Sequence, residues 1–325
     1  MMENCTPIIY SDTYLAHDTG MHPESAQRLV TTMAYLRDAG MLDARPMLAP
    51  YPAPREAVTK LHDPAYMDAL ERFCAAGGGV IDASTTASAG SFEVALLAAG
   101  GAMRAVDAVM AGEFPRAFSL ARPPGHHAIR EVGMGFCLFN NVAIAAQYAR
   151  DRYGLDRVAV IDWDVHHGNG TNDLFYADPH VLFVSVHQYP LFPMSGLATE
   201  RGAGAGAGYT LNIPLPMRSR DADYLRVFDE LIGPLVRDYH PELLFISAGY
   251  DASQDDPLAG MLVTDDGFRQ MTERVVAWAN ACCDGKIVAV LEGGYDVDAL
   301  ARGVAVTLRV LDAAAVTPTQ SAPGI

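Results

Sequence analysis

Hydrophobic residues along the chain alternate between short continuous runs and longer segments with helical spacing. The continuous runs lie at 117–121, 158–162, 181–187, 243–248 and 287–291. Such runs are typical of strands that are covered on both faces of a parallel sheet. Segments with helical spacing begin near Glu24, Ser91, Val142, Asp221 and Thr264. The repeated order of strand, loop and helix predicts an α/β fold with a mainly parallel central sheet and helices on both faces.

Shorter segments complete this outline. Residues 7–10 are typical of a short strand, the four prolines in 46–54 indicate a linker within the domain, and 77–90 and 188–208 are rich in loop-forming residues. The pair Gly100-Gly101 allows another backbone to approach the helix that contains it. A second pair, Gly233-Pro234, should kink a later helix.

We expect one domain over residues 1–325, with a core of about 8–312 and a frayed tail at 317–325.

The run at 158–162 leads directly into charged residues, so that 158–171 reads VAVIDWDVHHGNGT. Asp162, Asp164 and His166 occupy alternate positions, and an extended backbone points alternate side chains the same way. Aspartate and neutral histidine are ligands of Zn²⁺ and similar ions, and a catalytic zinc usually has three protein ligands. The same residues also fit a helix cap or a surface turn, because the segment GNG that follows is typical of turns.

Three other apolar runs also end in polar residues. His126 and His127 follow two prolines and a glycine that restrict the backbone, while Asp251 and Tyr295 follow later runs. The carboxyl ends of parallel strands form the edge of a sheet where ligands bind. Together these positions offer metal ligands without cysteine, histidines for proton transfer and a phenol that can stabilise an oxyanion.

Composition limits the classes of protein that fit. Hydrophobic residues are 50% and charged residues 19% of the chain, as in globular proteins. The formal net charge of −16 argues against binding to nucleic acid phosphates. The five cysteines include no C-x-x-C pair, which argues against a disulfide framework and for a reducing compartment. The sequence contains no secretory signal pattern and no apolar segment long enough to span a bilayer, so we expect a cytoplasmic protein without a membrane partner.

Five motifs resemble those of the histone deacetylase superfamily. In chain order they are RPPGHHA, MGFCLFNN, VIDWDVHHGNGT, SAGYDAS with DPLAG, and LEGGYD. They stand in the order and spacing of that family, and the resemblance covers roughly residues 8–312. DWDVHHGNGT with MGFCLFNN is similar to the class II branch and its bacterial histone deacetylase-like amidohydrolases. The resemblance implies the three-layer arginase-deacetylase fold and a metal-dependent deacetylase that removes acetyl or other short acyl groups from acyl-lysine-like amines.

The resemblance also implies which residues bind metal ions. The zinc ligands would be Asp164, His166 and Asp251. A potassium ion would lie near Asp162, Asp164, His166 and Ser185, and a second one near Phe175 and Tyr209.

In the implied mechanism, the zinc and Tyr295 polarise the acyl carbonyl while His127 takes a proton from the attacking water. His127 then protonates the leaving amine, and His126 acts as an electrostatic partner that Asp162 orients. Many family members carry aspartate where this chain has Asn169, the expected partner of His127. An amide stabilises a histidine cation less than a carboxylate does, so we expect His127 to stay neutral more readily.

The implied substrate site is a narrow tunnel for the acyl-lysine arm. Phe136 and Phe192 would form its walls, Gly135 would lie beside the substrate amide, and Asp82 would lie on the rim. The two phenylalanines also fit plain core positions, and Asp82 also fits a solvated loop carboxylate. The branch that is selective for polyamines carries a glutamate near the tunnel mouth, where this chain has Leu258.

Several functions remain open at this point. The expected substrate is an acyl-amine, either acetyl-lysine or a small acetylated amine. An acetylpolyamine amidohydrolase suits the negative charge, and the same chemistry serves other small amides or esters. A catalytically silent acyl-lysine reader fits the intact set of polar residues least well. The loop at 188–208 fits either a contact in a homo-oligomer or the tunnel mouth.

Overall fold

The computed structural model describes residues 5–313, and the predicted tail at 317–325 lies outside them. Its centre is an eight-stranded sheet in the order β2-β1-β5-β10-β9-β6-β7-β8, in which all neighbouring strands are parallel. These strands are β1 (Ile8–Ile9), β2 (Met47–Leu48), β5 (Arg116–Ser119), β6 (Val158–Asp162), β7 (Val181–Gln188), β8 (Thr210–Leu215), β9 (Leu243–Ala248) and β10 (Ile287–Leu291). A separate antiparallel hairpin consists of β3 (Gly78–Val80) and β4 (Thr86–Ser88).

Helices connect these strands. They are α1 (Gln27–Asp38), α2 (Arg55–Val58), α3 (Pro64–Ala75), α4 (Ser91–Met110), α5 (Asn141–Tyr153), α6 (Asn169–Phe175), α7 (Asp221–Val227), α8 (Gly233–Tyr239), α9 (Asp265–Cys282) and α10 (Val297–Ala313). Among the described residues, no helix combines the length and the apolar character that crossing a bilayer requires.

Two hydrophobic cores lie on the two faces of the sheet. One contains buried residues of α1, α9 and α10, and the other contains those of α3, α4 and α5. Strand β6 contributes to both, since Ala159 and Ile161 pack in the first core while Val158 and Val160 pack in the second. This alternation follows from the two-residue period of a strand. The expected α/β fold, with a parallel sheet between two helical layers, is therefore confirmed.

The structure corrects three parts of the predicted outline. The expected linker at 46–54 contains β2, which pairs with β1, and the expected loop at 77–90 contains the β3–β4 hairpin. Strand β8 was not predicted at all. Its sequence TLNIPL includes an asparagine and a proline, which suit an edge strand and not a continuous apolar run.

Capping residues agree with the predicted helix ends. The Asn140 side chain accepts a hydrogen bond from the Ala143 amide at the start of α5, and Gly154 ends that helix in a left-handed conformation. Thr264 caps α9 in the same way. A π-helical segment, Phe228–Ile232, separates α7 from α8 and ends directly before Gly233-Pro234, where the sequence predicts a kink.

Candidate active site

Three side chains converge beyond the carboxyl ends of β6 and β9. Asp164, His166 and Asp251 are buried, and one potential ligand atom from each lies within 4.8 Å of the others. The Nδ1 atom of His166 is 3.1 Å from Asp164 Oδ1 and 3.1 Å from Asp251 Oδ2. The sequence predicted these residues as a group, although β6 itself ends at Asp162.

The chemistry of these donors fits a divalent metal ion. Burial alone would lower the pKa of His166, but its hydrogen bonds with Asp164 and Asp251 raise it to about 10. Burial and the neighbouring Asp164 raise the pKa of Asp251 to about 7. Two buried carboxylates beside one imidazole nitrogen hold negative charge that a cation placed between them would compensate. The described residues therefore provide two oxygen donors and one nitrogen donor for Zn²⁺ or a similar ion.

Asp162 orients the first histidine of the pair. His126 Nδ1 donates a hydrogen bond of 2.9 Å to Asp162 Oδ2, and its Nε2 is 3.7 Å from Asp164 Oδ1. Burial would lower the pKa of His126, but the charges of Asp164 and Asp162 raise it well above its usual value. The two carboxylates therefore favour the protonated form of His126 in the metal-free site.

The second histidine has the opposite character. His127 Nδ1 donates a hydrogen bond of 2.7 Å to Asn169 Oδ1, which leaves Nε2 to act as an acceptor. Burial lowers the pKa of His127 well below its usual value, and the charges of His126 and His166 lower it further. His127 is therefore neutral at physiological pH and able to accept a proton.

Tyr295 lies on the other side of the same site. Burial and the neighbouring Asp251 raise the pKa of its phenol well above the usual value, so the hydroxyl keeps its proton. The ring lies edge-on to Phe136, with the ring centroids 5.4 Å apart, and the guanidinium of Arg28 is 5.1 Å from its centroid. The phenol is thus a fixed hydrogen-bond donor.

A cavity of about 200 Å³ connects these groups. Its lining consists of Ser84, His127, Gly135, Phe136, His166, Phe192 and Tyr295. Phe192 lies edge-on to His127 at 5.1 Å between ring centroids, so Phe136 and Phe192 face the cavity from different sides. Gly135 adopts a φ of +56°, and a Cβ there would lie 2.4 Å from His127 Cδ2. The cavity therefore needs glycine at this position.

Two predicted rim residues lie outside this lining. The Asp82 carboxylate accepts hydrogen bonds from the Ser84 amide and hydroxyl and from the Thr85 amide, at 2.7, 2.9 and 2.7 Å. It shapes the turn that brings Ser84 to the cavity. Leu258 is half-buried in the loop after β9, where its amide bonds to the Asp256 carboxylate.

The residues predicted near potassium fall into two places. Ser185 is the partner of Asp162 in the register of β7 and β6, and its Oγ is 2.9 Å from His187 Nδ1. Phe175 ends α6, and the Tyr209 carbonyl accepts a hydrogen bond from the Phe183 amide near the start of β7 and β8.

Sequence reasoning missed a buried carboxylate, Glu292. Its Oε2 accepts hydrogen bonds from the amides of Gly125 and His126 at 2.7 and 3.1 Å, and its Oε1 accepts one from Ser247 Oγ at 2.9 Å. It thereby joins the ends of β9 and β10 to the histidine loop. Its position in LEGGYD beside Tyr295 is a signal that could have identified it.

A buried ion network supports the Tyr295 loop from the opposite side. Arg28 Nε donates to the Gly294 carbonyl at 2.7 Å and also pairs with Glu24. Glu24 accepts two bonds from Arg122, at 2.9 and 2.8 Å. Burial would raise the pKa of Glu24, but the charge of Arg122 and its hydrogen bonds lower it to about 2. The network therefore remains ionised across the physiological range.

His22, for which the sequence predicted no function, supports the cavity wall. Its ring lies edge-on to Phe136, with centroids 4.5 Å apart, and its Nε2 donates to the Ser84 carbonyl at 3.0 Å.

Comparisons with known proteins agree with this geometry. A family model for the histone deacetylase domain matches residues 22–311. The chain is 42% identical to the histone deacetylase-like amidohydrolase of Pseudomonas aeruginosa, over 84% of this chain and 71% of that protein. It is 36% identical to the human polyamine deacetylase HDAC10, over 89% of this chain and 44% of that protein. The crystal structure of the HDA15 HD domain superposes with a TM-score of 0.90 at 31% identity, over 96% of this chain and 92% of that one.

Proposed function

Because the chain belongs to the histone deacetylase family and is a deacetylase-type hydrolase, we propose that it is a zinc-dependent amidohydrolase acting on acyl-lysine-like amines. It would remove acetyl or another short acyl group from a primary amine on a long aliphatic arm. The observation that carries this proposal is the convergence of three metal donors, a neutral histidine and a protonated phenol on one cavity.

Asp164, His166 and Asp251 would hold the zinc ion. When bound there, zinc supplies a Lewis acid that polarises the acyl carbonyl and acidifies water. The donor set contains no thiolate, and it would also accept Fe²⁺ or Co²⁺.

His127 is proposed to move the protons. Its Nε2 accepts a proton from the attacking water and afterwards donates it to the leaving amine. The hydrogen bond from Nδ1 to Asn169 keeps the ring in this orientation. His126, held as a cation by Asp162, supplies positive charge beside the anionic ligands and takes no part in proton transfer.

Tyr295 is proposed to stabilise the oxyanion of the tetrahedral intermediate. A donor that is already fixed and protonated needs little reorganisation when negative charge develops on the substrate oxygen. Phe136 and Phe192 would exclude water around the aliphatic arm, and the Gly135 backbone would lie beside the substrate amide.

The lining favours an aliphatic arm that carries no extra charge near the cavity. Within the described part of the chain, it contains aromatic rings, histidines, a glycine and a serine, and no carboxylate. Leu258, where the polyamine-selective branch is expected to carry glutamate, also argues for acyl-lysine. A polyamine substrate is the second candidate, because one relative is named as a polyamine deacetylase and the chain carries a net charge of −16.

We also propose two potassium sites, one near Asp162 and Ser185 and the other near Phe175 and Tyr209. Asp162 and Ser185 lie side by side on neighbouring strands, which suits one ion with Asp164 and His166. Phe175 and Tyr209 would flank the other.

The decisive experiment compares kcat/KM of the zinc-loaded enzyme on an acetyl-lysine peptide and on an acetylated diamine. We expect a preference for the peptide of tenfold or more, equivalent to about 1.4 kcal/mol in transition-state binding. The reverse preference would favour the polyamine candidate. Turnover of neither substrate, with zinc bound at Asp164, His166 and Asp251, would contradict the proposed function.

A further inference from the structure

Asp256 is a buried carboxylate that lies between the loop after β9 and the Tyr295 loop after β10. Its side chain is 7% exposed. Oδ2 accepts hydrogen bonds from the amides of Tyr295 at 2.7 Å and Asp296 at 3.4 Å, and Oδ1 accepts one from the Leu258 amide at 2.9 Å. Within residues 5–313, no arginine, lysine or histidine forms an ion pair with it.

A buried carboxylate is costly unless hydrogen bonds satisfy it. Burial raises the pKa of Asp256, whereas the hydrogen bonds from the Tyr295, Leu258 and Asp296 amides lower it. Three backbone donors from two separate loops therefore compensate the carboxylate. The Asp256 side chain thereby links the loop after β9, which contains Leu258, to the loop after β10, which contains Tyr295.

Hydrogen bonds hold each residue of the backbone that leads to Tyr295, including one of 3.0 Å from the Tyr250 amide to the Gly293 carbonyl. Gly293 and Gly294 precede Tyr295, and Gly294 adopts a φ of +123° that side chains rarely allow. Gly293 donates to Asp164 Oδ2 at 2.8 Å, and Gly294 accepts from Arg28. The next anchor along the chain is the Tyr295 amide itself, which bonds to Asp256.

We propose that Asp256 is a positioning residue for the Tyr295 hydroxyl, because its carboxylate ties the Tyr295 amide to the Leu258 amide of the loop after β9. This inference rests on the proposed function, in which Tyr295 stabilises the oxyanion. Asp256 does not line the cavity, so it acts on the reaction through the Tyr295 backbone and not by touching the substrate.

A double-mutant cycle tests this role. The variants are Asp256→Asn, Tyr295→Phe and their combination, assayed with zinc on an acetyl-lysine peptide. An asparagine offers one acceptor oxygen, so it can serve Leu258 or the Tyr295–Asp296 amides but not both. We expect Asp256→Asn to lower kcat by tenfold or more while KM and zinc content change less than twofold. Tyr295→Phe should lower kcat roughly 10²- to 10³-fold, as for the loss of one oxyanion donor.

In the Tyr295→Phe background, Asp256→Asn should lower kcat by less than threefold, because the hydroxyl that it positions is already absent. The proposal would be overturned if Asp256→Asn lowered kcat equally in the wild-type and Tyr295→Phe backgrounds, or if it lowered the zinc content. Asp255→Asn is the matched control, since Asp255 is exposed and pairs with Arg302, and it should keep full activity.

Asp256→Glu provides a second test of the positioning role if the Asp256→Asn variant does not fold. It keeps the charge and both acceptor oxygens but displaces them by one methylene group, so it should lower kcat only when Tyr295 is present. The activity of the wild-type enzyme distinguishes a failure of the proposed function from a failure of the role proposed for Asp256. A wild-type enzyme without turnover contradicts the proposed function, whereas turnover with an additive cycle contradicts only the role of Asp256.

Discussion

At the scale of single residues, a hydrogen bond decides which nitrogen of His127 faces the cavity. Nδ1 donates to an amide oxygen, so the ring lacks the carboxylate that would stabilise its cation. Burial lowers the pKa of His127 well below its usual value, and the charges of His126 and His166 act in the same direction. The general base therefore stays unprotonated into mildly acidic solution.

Asn169→Asp should reverse part of this effect. A carboxylate beside Nδ1 favours the imidazolium form and raises the pKa of His127, by about one unit or more. Because the base must be neutral to accept a proton, the acidic limb of the kcat/KM profile should move to higher pH. Asn172→Asp is the control, since it adds a carboxylate on the same helix that is not bonded to His127. An acidic limb that does not move, or that moves equally in the control, would contradict this explanation.

The sequence predicted the residues with characteristic chemistry better than those that hold them. The ends of the apolar runs indicated Asp162, Asp164, His166 and Asp251 as polar residues at one edge of the sheet, and the family resemblance implied which three of them bind zinc. Arg28 bonds to a carbonyl 266 residues away, and Glu292 bonds to amides more than 160 residues away. Such contacts depend on how strands from distant parts of the chain align in the sheet, and local patterns contain no information about them.

At the scale of elements, the strands with continuous apolar sequences were predicted almost to the residue. Leu243–Ala248 and Ile287–Leu291 agree fully, because both are covered on two faces and both lie inside the sheet. The missed strands β2 and β8 form the two edges, where one side pairs with no strand and the apolar pattern is weaker. The β3–β4 hairpin was missed because its glycines and small residues resemble a loop.

The close approach expected at Gly100 is confirmed, and it gives a prediction for helix packing. A Cβ at Gly100 would lie 1.6 Å from the Tyr51 carbonyl oxygen. Gly→Ala inside a helix normally stabilises it by about 1 kcal/mol. Here the methyl group must push two backbones apart, and overpacking costs about 1–3 kcal/mol. Gly100→Ala should therefore lower the melting temperature.

The control for this prediction is Gly233→Ala. The nearest atom to a Cβ there is the side-chain atom Trp278 Nε1 at 3.0 Å, which can yield more easily than backbone. Thermal unfolding followed by circular dichroism should show a smaller decrease in melting temperature for Gly233→Ala than for Gly100→Ala. If Gly100→Ala instead raises the melting temperature, the packing of α4 against the 51–53 segment is not as tight as the structure indicates.

At the scale of the whole molecule, the parallel topology concentrates buried charge at one edge of the sheet. The buried carboxylates at or beyond the carboxyl ends of β6, β9 and β10 are Asp162, Asp164, Asp251, Asp256 and Glu292. Burial raises the pKa of Asp162 to about 6 and, together with nearby carboxylates, that of Glu292 to about 7. Without a bound cation, ionisation of Asp162, Asp251 and Glu292 opposes folding, so a metal bound there should matter for stability as well as for catalysis.

Asp251 and His166 determine how the stability of the metal-free protein changes with pH. In the metal-free protein the pKa of Asp251 is raised to about 7 and that of His166 to about 10. Both groups bind more protons in the folded than in the unfolded state, so both contributions to stability are lost as pH rises. That of Asp251 is lost between its ordinary pKa and about 7, and that of His166 between its ordinary pKa and about 10. Zinc needs both groups unprotonated, so its binding releases protons and strengthens with pH. The stabilisation that zinc provides should therefore grow between pH 6 and pH 8.

This prediction can be checked by measuring the zinc dissociation constant with a competing chelator at pH 6, 7 and 8. Release of about one to two protons corresponds to a constant that is about ten- to a hundredfold tighter per pH unit, or about 1.4 to 2.8 kcal/mol. The zinc-dependent increase in melting temperature should rise in parallel, since a ligand that binds only the folded state stabilises it according to its affinity. In the control variant Asp255→Asn, the zinc dissociation constant should change with pH as it does in the wild type, because this exposed carboxylate is not among the three zinc donors. A dissociation constant that stays flat over this range would mean that the metal does not bind between Asp251 and His166.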